Sequence, residues 1–126
     1  MSIAQAQARF ERVPFATWLG MTLVDIAPAR AVLALPFQPA HANVSGPLNG
    51  GASASLLLTA GTVAAWTDID LDTEPYLSCV NMSIYYLAAA REEDVLAEAQ
   101  IVQRGRDLFF SQWLSIRLLA SPSVKG

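Results

Sequence analysis

From Val80 to Tyr86 the chain alternates, with Val80, Met82, Ile84 and Tyr86 apolar and Asn81, Ser83 and Tyr85 between them. A period of two is that of a half-buried β-strand. The habit returns over 95–103, where Val95, Ala97, Ala99 and Ile101 share one side, and "RGRD" then predicts a hairpin turn into a long strand from about Leu108 to Leu119. Near the start, "MTLVDIAPARAVLALPF" holds two stretches rich in Val, Leu and Ile around "APAR", which predicts a hairpin or one long bent strand over about 21–37. The segment 52–66, "ASASLLLTAGTVAAW", is of another kind. Its Ala and Leu favour helix, and its apolar positions surround the axis instead of forming one stripe, so the helix should be covered on most sides. Its small residues, Ala52, Ala54, Ala60, Gly61, Ala64 and Ala65, would let a sheet approach closely. Over 8–19, Phe10, Val13, Trp18 and Leu19 have roughly helical spacing, but Pro14 should limit regular helix to one or two turns, with Gly20 as a stop. Residues 38–48 collect Pro, Asn, Ser and Gly and read as a structured loop.

This order defines an α+β domain in which an antiparallel sheet wraps around one central helix. A single sheet covers a helix on one side only, so a homodimer or a dimer of dimers is the expected completion. The 126 residues suit a single domain spanning 1–126. Hydrophobic residues make up 53% and charged ones 15%, which again points to apolar surface meeting another subunit. The net charge of −3 comes with scattered Lys and Arg, and nothing resembles the basic footprint that neutralises a phosphate backbone, so no nucleic acid is expected. The most apolar run, Gly50 to Trp66, falls short of the roughly 20 residues that span a bilayer, and the first 15 residues lack the form of a secretory signal. Cys79 is the one cysteine, which rules out an intrachain disulfide and a cysteine-rich zinc site and suits a reducing cytoplasm.

The chemistry concentrates in "GPLNGGASASLLLTAG", residues 46–61, where two glycines precede the apolar helix. A helix N-terminus offers backbone N–H groups and a partial positive charge, suited to a carbonyl oxygen that becomes an oxyanion. Taken with "VNMSIYYLAAAREEDVLAEAQIVQRGRDLFF", the stretch "AHANVSGPLNGGASASLL" resembles the hotdog-fold acyl-CoA thioesterases of the phenylacetate-pathway type. That family carries an Asn, a short loop and His-Gly-Gly at the start of its central helix; here Asn43 and Asn49-Gly50-Gly51 stand at those places. The resemblance covers about Phe10 to Leu119. It implies a hotdog fold, an acyl-CoA thioester as ligand, no metal, and no cofactor beyond the coenzyme A of the substrate. It also implies that the Gly50 amide is the oxyanion donor, that Asn43 orients the loop or the attacking water, and that Asn49 and Gly51 line the ligand. The two glycines read alone would equally be a tight turn into a packed helix.

The departures from the family carry as much information. Its catalytic Asp or Glu lies seven residues beyond the second glycine, and here that position is Leu58. No Asp or Glu occurs between Asp25 and Asp68. Asp68 is ten residues further on, about 15 Å along a helix, too far for proton abstraction from the same chain. Ser55, Thr59 and Thr62 share a face beside Leu58; Thr59 is a candidate to position water and Ser55 to touch the ligand, though hydroxyls without a base are poor proton acceptors and commonly bond back to the preceding turn. Ser78 stands near where some relatives hold the attacking water, and Cys79 beside it would line the ligand. His41, the single histidine, reads as an exposed or hydrogen-bonded loop residue. The set Asp68, Asp70, Asp72 and Glu74 reads as a solvated loop that lacks the calcium-loop pattern, and is the candidate source of a carboxylate from a second subunit. The family's usual last strand has no counterpart in "SPSVKG", so the expectation is a sheet of five strands or one whose edge another chain completes.

Two functions compete on this reading: a thioesterase with open amides at the helix head but no base, hence slow, and an acyl-CoA-binding or structural protein without hydrolysis. A hydratase would need a His and an acid together, which His41 is poorly placed to supply.

Overall fold

The computed structural model describes residues 1–67, 91–104 and 109–118, with 103–104 and 109–118 followed as backbone. Two short helices open the chain. The first, α1 (Ile3–Phe10), starts on a capping box: Ser2 Oγ accepts from the Gln5 amide at 3.1 Å and Gln5 Oε1 accepts from the Ser2 amide at 2.8 Å. The second, α2 (Pro14–Leu19), has Pro14 at its first position and ends at Gly20, φ +87°. Pro14 was expected to interrupt a helix, and instead it begins one, because the first turn needs no N–H from that residue.

The region read as a hairpin or a bent strand is a hairpin. Strand β1 (Thr22–Ala27) pairs antiparallel with β2 (Arg30–Leu35), and the turn passes through Ala29 at φ +61°. Its tip is tied down by the Thr67 hydroxyl, which accepts from the Ala29 amide at 2.7 Å. The long helix α3 (Gly50–Trp66) then crosses the sheet, and β3 (Val95–Arg104) and β4 (Phe109–Leu118) complete it. Strand order is β1-β2-β3-β4, antiparallel at every step, with Leu33 opposite Ala97 and Ala99 opposite Trp113. Four strands are therefore seen among the described residues. The alternating segment around 79–87, the centre of the "RGRD" turn and the tail lie outside the described residues.

The core sits between α3 and the inner face of β2 and β3. Leu33, Leu35, Leu56, Val63 and Val95 are its largest fully buried side chains, each contributing about 1.5–3 kcal/mol by leaving water. Val95, Ala97 and Ala99 are buried as their spacing requires, and Ile101 is half-buried. Ala60, Val63 and Ala64 of α3 have no exposed surface and belong to one core cluster with Leu33, Val95 and Ala97 of the sheet. Phe10 and Leu19 fix α1 and α2 to the same cluster. The opposite flank of α3 differs: Ser55, Leu58, Thr59 and Thr62 are only half-buried. This is the α+β arrangement of sheet and central helix that the residue pattern implies.

Candidate functional site at the head of the central helix

Residues 36–49 fold back on themselves before α3 begins. Pro39–His41 form one 3₁₀ turn, Ala42 bridges Leu48, and the Asn49 amide donates to the His41 carbonyl at 2.8 Å. Inside this frame a tight turn closes: Gly46 N–H donates to the Asn43 carbonyl at 2.9 Å, and Asn43 N–H donates to the Pro47 carbonyl at 2.7 Å. Gly46 has φ +105°, a backbone region that a side chain strongly disfavours. The result places Asn43 and Asn49, six residues apart, side by side.

Their side chains form a directed relay. The Gly51 amide donates to Asn49 Oδ1 at 2.7 Å, capping the helix, while Asn49 Nδ2 donates to Asn43 Oδ1 at 2.7 Å. Donor and acceptor identities follow from the first bond. An amide N–H can only meet the Asn49 oxygen, so the Asn49 nitrogen faces Asn43, and Asn43 must answer with its oxygen. The Asn43 Nδ2 hydrogens are then left without a protein acceptor among the described residues, at an exposed position. Gly51 is required by this cap, because a Cβ there would lie 2.8 Å from Asn49 Oδ1.

Open amides were expected at the head of the helix. At Gly51 this is not what forms, since Asn49 fills that position with its own oxygen. The reason is the exchange of residue type at 49: asparagine is among the best N-caps.

The α3 hydroxyls bond back to the helix as the sequence allows. Ser55 Oγ donates to the Gly51 carbonyl at 2.8 Å, Thr59 Oγ1 to Ser55 at 2.7 Å and Thr62 Oγ1 to Leu58 at 3.0 Å. Each proton is committed, so these groups face the half-exposed flank as acceptors. Leu58 shares that flank, two turns along from Gly51, and α3 itself carries no carboxylate. Ser78, Cys79 and the acidic set 68–74 lie outside the described residues.

His41 corrects an expectation. It is not an exposed loop side chain: it is 6% exposed, and its Nδ1 has no hydrogen-bond partner among the described residues. The fold-back of 36–49 packs it inward, which local sequence could not disclose. Sequence reasoning also missed Arg91 and Asp94. Arg91 Nη1 donates to the Ser45 carbonyl at 3.0 Å, and Asp94 Oδ1 accepts from the Phe37 amide at 2.6 Å. Both bonds join positions more than 40 residues apart, and no periodicity or local spacing signals them.

No group of three or more His, Cys, Asp or Glu among the described residues could hold a metal. No helix there is long and apolar enough to cross a membrane. An open cleft of about 580 Å³ lies by α1, α2 and β1, lined by residues such as Phe10, Glu11 and Met21, and it shares no lining residue with the loop or α3.

An antiparallel sheet thus packs over one long helix, whose start is led by two glycines and capped by Asn49. The chain belongs to the thioesterase superfamily, whose family model matches residues 45–112. It is 35% identical over 114 residues to acyl-coenzyme A thioesterase 13 of Homo sapiens, covering 86% of this chain and 74% of that protein. Among solved structures, a thioesterase family protein from Silicibacter pomeroyi superposes with a TM-score of 0.82 at 22% identity, covering 90% of this chain and 88% of that one. The E. coli PaaI protein of the phenylacetic acid degradation operon gives 0.70 at 22%, covering 82% and 72%. At that identity the two structures speak for the fold, which is the hotdog fold.

Proposed function

We propose that the protein binds acyl-CoA thioesters at the head of α3 and hydrolyses them slowly. The observation that supports this is the relay from the Gly51 amide through Asn49 to Asn43, which engages the Asn43 oxygen and leaves its Nδ2 as the donor available to a ligand near the positive end of α3. The Gly50 amide, first of the helix, and Asn43 Nδ2 would together meet the thioester oxygen as negative charge develops on it. With its oxygen engaged by Asn49, Asn43 acts as a donor and takes no proton from water. Thr59 and Ser78 are the candidates to hold that water, while Asn49, Gly51, Ser55, Leu58 and Cys79 would line the thioester. The human relative's name supplies the substrate class.

An oxyanion donor contributes about 10²–10³ in rate, which leaves measurable but slow turnover when the helix carries Leu58 in place of an acid. A specific observation favours a second reading, a binding protein without turnover: Asn49 occupies the Gly51 amide and no base stands on α3. Both readings include a homodimer or a dimer of dimers, whose second subunit would cover the half-exposed flank of α3. A cytoplasmic location belongs to the proposal on the strength of the lone cysteine.

The test is thiol release from a panel of acyl-CoAs by the natural protein and by Leu58→Asp. Slow natural turnover that rises at least about tenfold in the variant is the expected result, since a placed general base contributes about 10²–10⁴. Binding without turnover in either protein selects the second reading. Brisk natural turnover that survives loss of both Asn43 and Ser78 would show the site to be elsewhere.

A further inference from the structure

The segment 91–94 holds both ends of the loop that carries Asn43. At one end Asp94 Oδ1 accepts the Phe37 amide at 2.6 Å, just after β2. At the other, Arg91 pairs through its backbone with Pro47 and through its guanidinium with the Ser45 carbonyl at 3.0 Å. Between these two anchors Glu92 is held at φ +48°, a left-handed conformation that a residue with a side chain rarely adopts and that persists where the surroundings enforce it.

Arg91 meets the turn where the turn has least freedom. Ser45 and Pro47 flank Gly46, and a Cβ on Gly46 would lie 3.1 Å from Arg91 Nη1, so the guanidinium is seated against the bare face of the glycine. The carbonyl of Pro47 receives the Asn43 amide, and the carbonyl of Asn43 receives the Gly46 amide. Moving either Ser45 or Pro47 therefore moves Asn43, and with it the oxygen that Asn49 Nδ2 grips. A cation donating to a carbonyl makes a stronger bond than a neutral donor, and the planar guanidinium fixes direction as well as distance.

We infer that Arg91 is a positioning residue for the Asn43–Asn49 pair: it pins the 45–47 turn and thereby sets where the Asn43 amide hydrogens point. It touches no reacting atom. Its action runs through Ser45 and Pro47 to Asn43, and from Asn43 through Asn49 to the first turn of α3. The kinetic consequence rests on the thioesterase reading above, whereas the structural consequence does not.

The experiment uses the full chain and two variants, Arg91→Met, which keeps bulk and loses the charge and donors, and Arg91→Lys, which keeps a cationic donor. Amide hydrogen exchange followed by NMR should quicken about fivefold at Asn43, Asn49 and Gly51 in Arg91→Met, with Leu33 and Val63 in the core unchanged and Arg91→Lys recovering most of the protection. Exchange unchanged at those three amides overturns the inference. So does a uniform rise that includes Leu33 and Val63, since that is general destabilisation. In the assay of thiol release, Arg91→Met should lower kcat with KM within about twofold of the natural value. An unaltered kcat in an active protein likewise counts against the inference. If the natural protein releases no thiol, the thioesterase reading fails and the exchange measurement alone decides the role of Arg91.

Discussion

Asn49 does two tasks with one amide: its oxygen caps α3 and its nitrogen orients Asn43. The tasks separate by substitution. Asn49→Ala removes both and should cost about 1 kcal/mol of stability, the usual loss for an N-cap. Asn49→Asp retains a capping oxygen, adds charge that the helix dipole favours, and should cost less than half as much. It cannot donate to Asn43, however, so Asn43 is expected to rotate its own nitrogen inward. Urea unfolding compared with acyl-CoA binding checks this, with stability following the cap and binding following the donor. Equal losses of stability in the two variants would contradict the account. The same residue shows why spacing alone misled: the sequence places Asn49 where the family carries His, but only the geometry reveals that asparagine fills the Gly51 amide itself.

At the scale of elements, the first hairpin depends on one arginine at its turn. Arg30 reaches Asp25 at 2.8 Å on its own hairpin and Glu98 at 2.7 Å on the neighbouring strand, linking β1, β2 and β3. The hydrogen bond from Arg30 holds the Asp25 carboxyl below the ordinary value of 3.8, with the Ile26 amide adding to the effect. Because the folded form has the lower pKa, its contribution is present in full above that ordinary value and disappears as pH falls through the folded one. Asp25→Asn should therefore lower the thermal midpoint slightly at pH 6, with the gap closing as the solution is taken below about pH 4. Added salt should shrink the same gap, since the pair is exposed. A gap that widens on acidification would sink this assignment. The helices teach a related lesson. Ser2 and Gln5 spell a capping box in the sequence and so signal α1, whereas the helical rhythm of Phe10 to Leu19 hides that Pro14 begins a separate helix.

For the whole molecule the decisive contrast lies within a single turn of α3. Leu56 is fully buried against the sheet, and Leu58 stands on the half-buried flank with Ser55, Thr59 and Thr62. Leu56→Ala should cost about 2–5 kcal/mol at any protein concentration, as a cavity opens in the core. Leu58→Ala should cost far less in a monomer. If a second subunit covers that flank, the loss on replacing Leu58 will depend on protein concentration, because assembly contributes to stability by mass action. Thermal unfolding over a hundredfold range of concentration, with sedimentation alongside, measures both. No dependence on concentration in the natural protein would remove the dimer from the proposal.

The sequence by itself determined the first hairpin, the central helix and the faces of β3. The period of two in Val95, Ala97 and Ala99, the all-round apolar character of 52–66 and the paired runs about "APAR" follow from local sterics and from burial, which act over a few residues. The absence of an acid between Asp25 and Asp68 was equally plain, and so was the candidate status of Asn43 and Gly50. Tertiary structure alone decided which of these groups meet and which way they face. It buried His41, set Arg91 against Ser45 across 46 positions, and turned the Asn43 oxygen toward Asn49. Hydrogen bonds are directional and reach only about 3 Å, so their partners are chosen after the chain has folded, by where its distant parts arrive.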